Sequence, residues 1–385
     1  MKKVFLMLAI VLTAAGCLKD DKITPQSDSF INPLETQMDQ DIHQAFVDYR
    51  GKINTVGLTI GVLKDDQSFF YGYGETQKGN RQVPDSTTFF EIGSITKVFT
   101  SIAALDFLRE RNLSVETPIK AFLPDDLPAL KKDGAEVNFK HLMTHTSGLP
   151  YMPDNMGFDL YLNIDEAWRS YSPAKLYKCL KSVKLEAVPG TRWSYSNLAL
   201  GTLGHILERN TNKTYDQIIK ERISLPLGLL DTKMILSEME IKRMAKGYEG
   251  GKVIDYWEDL NALNGAGVLR STTADLLKFA RINLNLPDTP LGETMRTCQQ
   301  KHFEGKDKGG NDHTSYLGWQ DLPIGNDLQP TWFHNGGTGG FSTNLILFQN
   351  SRTALVVFFN SIETKESETA ARNELLVRLT NIINR

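Results

Sequence analysis

The chain has 385 residues, with 43 Lys plus Arg against 46 Asp plus Glu and a formal net charge of −3, a balance that excludes a strongly basic nucleic-acid binder. A hydrophobic content of 41% with 23% charged residues excludes wholesale disorder, and the length leaves room for two lobes of one domain or for two domains. Three cysteines, Cys17, Cys179 and Cys298, cannot build a disulfide framework, and no C-x-x-C spacing suggests structural zinc.

The N-terminus reads as a targeting segment. Met1-Lys2-Lys3 precedes an apolar run over residues 4–15, which closes on Ala14-Ala15-Gly16-Cys17. The run is shorter than the ~20 residues that span a bilayer. The small residues before Cys17 resemble a bacterial lipobox, which implies a signal peptide over 1–16, lipidation of Cys17 and attachment to a membrane. A soluble secreted protein cut near Ala15-Gly16 is the alternative. Lys19-Asp20-Asp21 resembles the short signal that sends some lipoproteins to the outer cell surface, so the expected location is the bacterial envelope at the outer membrane. Residues 17–33, poor in large apolar side chains, are expected to form a flexible tether, with one catalytic domain over 34–385.

Strand and helix signals then alternate. Residues 56–63 and 68–73 are β-branched, apolar or aromatic and flank Asp65-Asp66, which predicts a hairpin. Residues 344–348 and 354–359, separated by Gln349-Asn350-Ser351-Arg352, predict a second hairpin, followed by a terminal helix. The stretch 113–295 shows mostly helical periods and loops, so both ends of the chain are expected to meet in one antiparallel sheet.

Chemistry enters at Glu91-Ile92-Gly93-Ser94-Ile95-Thr96-Lys97. A serine hydroxyl needs a base, and a lysine three residues on lies one helical turn away on the same face. Ile95, Val98, Ile102, Leu105 and Leu108 recur at helical spacing, so Ser94 falls where a helix begins and its N–H is free to face an oxyanion. S-x-x-K alone is common by chance: Ser172-Pro173-Ala174-Lys175 repeats it where proline marks a helix start and the serine is expected to cap.

Two further elements join this pair. Tyr195-Ser196-Asn197 follows the turn Pro189-Gly190 and leads into an apolar helix; Tyr161-Leu162-Asn163 has the same spacing without that turn and is expected to be structural. His334-Asn335-Gly336-Gly337-Thr338-Gly339-Gly340 reads as a Gly-rich strand start that permits close approach of substrate or backbone.

Ser94-x-x-Lys97, Tyr195-x-Asn197 and His334-x-Gly336, in this order, resemble the three motifs of the penicillin-recognising serine hydrolases. The closest branch holds class C β-lactamases, D,D-carboxypeptidases, D-aminopeptidases and related esterases. The likeness runs from about residue 34 to the C-terminus and includes His141-Leu142-Met143-Thr144-His145-Thr146-Ser147-Gly148-Leu149, Leu225-Pro226-Leu227-Gly228-Leu229 and the segment from Gly265 to Thr272. It implies a mixed α/β fold, an antiparallel sheet flanked by helices with a mainly helical second lobe. It also implies that Ser94 is acylated, that Lys97 and Tyr195 share the proton traffic, that Asn197 holds the substrate amide, and that the N–H groups of Ser94 and Gly337 form the oxyanion hole.

Whether Lys97 or Tyr195 is the base stays open at this point. No metal or organic cofactor is expected. The α/β-hydrolase elbow is absent, since Ile92 and Thr96 replace its glycines, and His141 with His145 lacks the glutamate of a zinc protease, so both histidines are expected to be structural. His334 stands where many β-lactamases carry Lys. That favours hydrolysis of peptides, including D-amino-acid peptides of the peptidoglycan type, or of small esters. A true β-lactamase and a non-catalytic surface binding protein on the same scaffold are the alternatives. If His334 faces the cleft, its charge is expected to switch over roughly pH 6–8 and to control carboxylate recognition; the competing reading is that it stays neutral and only hydrogen-bonds the serine or a backbone carbonyl.

Overall fold

The computed structural model describes residues 29–53, 55–157, 164–321 and 331–385. The signal segment, Cys17, most of the tether and Tyr161-Leu162-Asn163 lie outside the described residues.

Both predicted hairpins form. Gly57–Lys64 pairs with Gln67–Gly74, with Lys64 opposite Gln67, and the two-residue loop places Asp65 and Asp66 at φ of 50° and 57°, as a tight hairpin turn that follows the strand twist requires. Ser342–Phe348 pairs with Thr353–Phe359, and that strand lies against Gly57–Lys64, so the two ends of the chain meet at the centre of a ten-stranded sheet. Outward from the second hairpin come Thr331–Gly337, Gln320–Asp321, Asp312–Ser315, Phe303–Asp307 and Arg192–Trp193, all antiparallel except the last pair.

The central strands are apolar on both faces because both faces are covered. Along Thr353–Phe359, Ala354, Val356 and Phe358 enter the larger core, while Leu355, Val357 and Phe359 enter a second core with Leu375 and Leu379 of the terminal helix Glu366–Ile383 and Ile42 and Phe46 of the helix Gln37–Arg50. On the opposite face lies the helix Thr273–Leu284, close enough that a Cβ on Gly61 would stand 2.6 Å from the Thr273 methyl.

The larger core continues into the helical lobe, whose centre is the helix Thr96–Glu110. Lys97, Thr100 and Ser101 are buried along with its apolar residues, so this helix is enclosed on nearly every side instead of presenting one wet face. Ser94 belongs to a single 3₁₀ turn, Gly93–Ile95, that precedes the α-helix.

Candidate active site

The nucleophile turn is fixed from two directions. Ahead of it, Phe89–Glu91 pairs with Arg270–Thr272, and Ile92 N–H donates to the Leu269 carbonyl at 2.9 Å. Beside it, the Thr343 hydroxyl donates to the Ile92 carbonyl at 3.1 Å, tying the turn to the central sheet. Gly93 sits at φ 49°, and a Cβ there would lie 2.7 Å from the Gly337 nitrogen; a Cβ on Gly336 would lie 1.9 Å from the Ile92 carbonyl oxygen. Only glycine allows these backbones to touch. The Gly-rich segment therefore links the exit of the strand Thr331–Gly337 to the start of the strand Ser342–Phe348, and its glycines serve backbone packing as well as substrate access.

Gly337 lies opposite Ser342, next to the bond from Thr338 N–H to the Phe341 carbonyl. Alternation of the antiparallel ladder makes Gly337–Ser342 a non-hydrogen-bonded pair, so the Gly337 N–H points away from the neighbouring strand, beside the turn that carries Ser94.

Lys97 is fully buried, and its Nζ lies 2.8 Å from Ser94 Oγ and 2.5 Å from the Ala266 carbonyl, to which it donates. Burial pushes its pKa well below the ordinary lysine value. Tyr195 is displaced in the opposite sense: burial raises its phenol, while a hydrogen bond with Ser94 pulls it the other way. Lys97 Nζ stands 5.0 Å from the Tyr195 ring centroid. The low-dielectric pocket thus favours an uncharged amine and an uncharged phenol.

Asn197 is the first residue of the helix Asn197–Thr211, capped by Ser196, whose hydroxyl accepts from Ala199 N–H at 3.0 Å and donates to the Pro150 carbonyl at 2.7 Å. Its Nδ2 reaches Met152 Sδ at 3.5 Å, beside Tyr151, which is 49% exposed at the edge of the cleft. This helix packs on residues 261–266 so closely that a Cβ on Gly204 would stand 2.8 Å from Gly265, which fixes the Ala266 carbonyl where Lys97 uses it.

His334 overturns the expected charge switch. It is fully buried, its Nδ1 donates to the Asn335 carbonyl at 2.7 Å, and burial together with nearby Lys97 pushes its pKa down to about 3. An imidazole in this position is neutral across pH 6–8 and supplies no cation for a substrate carboxylate. Its ring centroid is 6.4 Å from that of Tyr195, and its Nε2 is a buried acceptor with no hydrogen bond within the described protein.

The structure therefore brings together Ser94, Lys97, Tyr195, Asn197, His334, Gly336 and Gly337 from three distant stretches of chain. Ser172 stays apart: its hydroxyl accepts from Lys175 N–H at 3.4 Å and caps a helix that begins with Pro173. His141 is structural as expected, its Nδ1 accepting from Asn138 N–H at 3.3 Å. His145, read as structural from sequence, stacks on Tyr195 with centroids 4.4 Å apart. His145 and the Ala266 carbonyl are the site groups that sequence reasoning missed. Both lie in segments whose family likeness is legible, His141 to Leu149 and Gly265 to Thr272, but no chemical pattern singles out one atom within them.

A partly exposed serine beside a buried lysine, with a phenol over the lysine, at the junction of an antiparallel sheet and a helical lobe, is the arrangement of a serine hydrolase. A family model described as Beta-lactamase matches residues 42–379, and the chain belongs to that family. It is 27% identical over 333 residues to the D-alanyl-D-alanine-carboxypeptidase/endopeptidase AmpH of Escherichia coli K12, covering 84% of each chain. A β-lactamase of Yersinia enterocolitica is 25% identical, with 79% of this chain and 82% of that one covered. Among solved structures, a β-lactamase/D-alanine carboxypeptidase of Pseudomonas syringae superposes with a TM-score of 0.73 at 22% identity, over 89% of this chain and 99% of that one. The expected fold class holds.

Proposed function

We propose that the protein hydrolyses amide or ester bonds through an acyl-enzyme on Ser94, and that its substrates are D-amino-acid peptides of the peptidoglycan type or small esters. The observation that carries this reading is the 2.8 Å contact between Lys97 Nζ and Ser94 Oγ, with Lys97 buried and biased to its neutral form.

In this mechanism Lys97 accepts the Ser94 proton as Oγ attacks the scissile carbonyl, and the N–H groups of Ser94 and Gly337 receive the oxyanion, each contributing ~10²–10³ in rate. Asn197 binds the substrate amide. As the tetrahedral adduct collapses, the leaving nitrogen or oxygen takes a proton relayed by Tyr195, which lies over Lys97. Water then attacks the acyl ester with the same groups working in reverse, returning Ser94 to its starting state. Penicillin-binding protein 4* of Bacillus subtilis, 25% identical with 82% of this chain and 70% of that one covered, together with AmpH, supports the peptidoglycan-type reading.

Turnover of D-alanyl-D-alanine peptides, their methyl esters, p-nitrophenyl acetate and a chromogenic cephalosporin, on protein lacking residues before Ser29, tests the substrate class. The reading expects peptides or esters to be turned over and the cephalosporin to be released slowly. Rapid cephalosporin turnover alone makes the protein a β-lactamase, and no turnover with no acylation leaves a binding protein.

The envelope assignment is part of the same proposal and rests on the apolar run ending at Cys17. If Cys17 carries lipid, Cys17→Ser moves the protein from the membrane to the soluble fraction; a mature mutant retained on membranes contradicts the anchor.

A further inference from the structure

His145 holds the second motif on three sides. Its own carbonyl accepts from Ser194 N–H at 2.8 Å, its Nδ1 accepts from Ser196 N–H at 3.1 Å, and its ring stacks on Tyr195 at 4.4 Å with 27° between the planes. The residue before the phenol, the phenol itself and the residue after it thus all rest on one side chain and its backbone. The edge of the Trp193 ring closes the cluster, 6.1 Å from His145 at 81°.

The backbone of His145 is held at φ 58°, a left-handed conformation that residues other than glycine adopt uncommonly, asparagine, aspartate and histidine more often than the rest. Such a conformation persists where surrounding bonds over-determine it. Here Gly190 N–H donates to the Thr146 carbonyl at 2.8 Å and the Ser315 hydroxyl donates to the Thr144 carbonyl at 3.0 Å, pinning both neighbours of His145. The left-handed twist lets the carbonyl and Nδ1 of one residue reach two N–H groups of the same crossing segment.

Tautomer follows from this geometry. A backbone N–H donating to Nδ1 makes that nitrogen the acceptor, so the neutral ring carries its proton on Nε2. Burial, with Lys97, His334 and His313 nearby, holds the ring uncharged. A neutral imidazole can lie flat against the phenol of Tyr195 without bringing a cation beside Lys97.

We propose that His145 is a positioning residue for Tyr195: it fixes the phenol over Lys97 and so sets the rate at which Ser94 is acylated. This rests on the roles given to Ser94 and Tyr195 above. Asparagine is the informative replacement, because it tolerates the left-handed backbone and its Oδ1 can still accept from Ser196 N–H, while the stack is lost. Phenylalanine makes the opposite change, keeping the stack and losing the acceptor.

The test is a double-mutant cycle on the rate of Ser94 acylation by a D-alanyl methyl ester, whose leaving alkoxide needs the proton that Tyr195 relays, with folding followed by circular dichroism and with a fluorophosphonate probe confirming that wild-type protein is labelled at Ser94. His145→Asn should slow acylation about tenfold with KM little changed, and should slow it less than about threefold in a Tyr195→Phe background, because the two residues act as one unit. His145→Phe should lose less than His145→Asn. Equal losses in both backgrounds, a rate per folded molecule equal to wild type, or failure of both variants to fold would assign His145 to the core and overturn the proposal. If wild type is not labelled at Ser94, the fault lies with the nucleophile assignment, and an additive cycle on a labelled enzyme faults His145 alone.

Discussion

His334 shows how far a residue's surroundings can reverse what its reference chemistry suggests. In water an imidazole titrates near 6.5, and a charge that switches on through the physiological range would serve carboxylate binding well. Full burial, with Lys97 nearby, removes that option and outweighs the bond from Nδ1 to the Asn335 carbonyl, which by itself favours the imidazolium. The sign is definite: with the pKa lowered to about 3, protonation begins only in strong acid. The ratio of kcat/KM for a D-alanyl-D-alanine peptide to that for its methyl ester is therefore expected to stay constant from pH 6 to 8, because titration of Lys97 and Tyr195 cancels in the ratio. A ratio falling as pH rises through that range would show that His334 is charged in the working enzyme. The motif was legible in the sequence. The protonation state was not, because it depends on residues far away in the chain that cover the ring.

At the scale of elements, the site exists because three backbones approach more closely than side chains permit. Gly93 and Gly336 bring the nucleophile turn against the exit of the strand Thr331–Gly337, and Gly204 against Gly265 sets the carbonyl that Lys97 uses. Gly336→Ala would place a methyl 1.9 Å from the Ile92 carbonyl oxygen, a backbone atom that cannot rotate aside. The strand must then move off the turn. This variant should lose at least about tenfold in kcat, since donors to an oxyanion act over tenths of an ångström, and should melt at lower temperature. Gly337→Ala is the control for stability: nothing lies within 4 Å of its added methyl, and its melting temperature should match wild type. Equal melting temperatures for both variants would contradict the close-packing argument. The Gly-rich run was legible as a place of close approach. The partner it approaches was not, because the Ile92 carbonyl lies far away in the chain.

Across the whole molecule, the parts legible from sequence are those with local signals. Asp65-Asp66 between two β-rich runs marked a hairpin, Pro173 after Ser172 marked a helix cap, and Ile95, Val98, Ile102, Leu105 and Leu108 marked a helix. Parts that arise from assembly were hidden. The burial of Lys97 follows from enclosing its helix on nearly every side, and the stack of His145 on Tyr195 joins residues 50 positions apart, with the helix Pro173–Ser182 between them. The two cores explain why such a site can be rigid: a sheet covered on both faces holds the strand that carries Gly337, while the helical lobe holds Ser94, Lys97 and Tyr195. The central claim is that this junction makes Ser94 a nucleophile through neutral Lys97. Mass mapping of the protein after reaction with a fluorophosphonate tests it most directly. The adduct is expected on the peptide containing Ser94, absent in Ser94→Ala, formed far more slowly in folded Lys97→Ala, and formed more slowly in wild type as pH falls and Lys97 is protonated. An adduct on another residue, or a rate unchanged in Lys97→Ala, would contradict it.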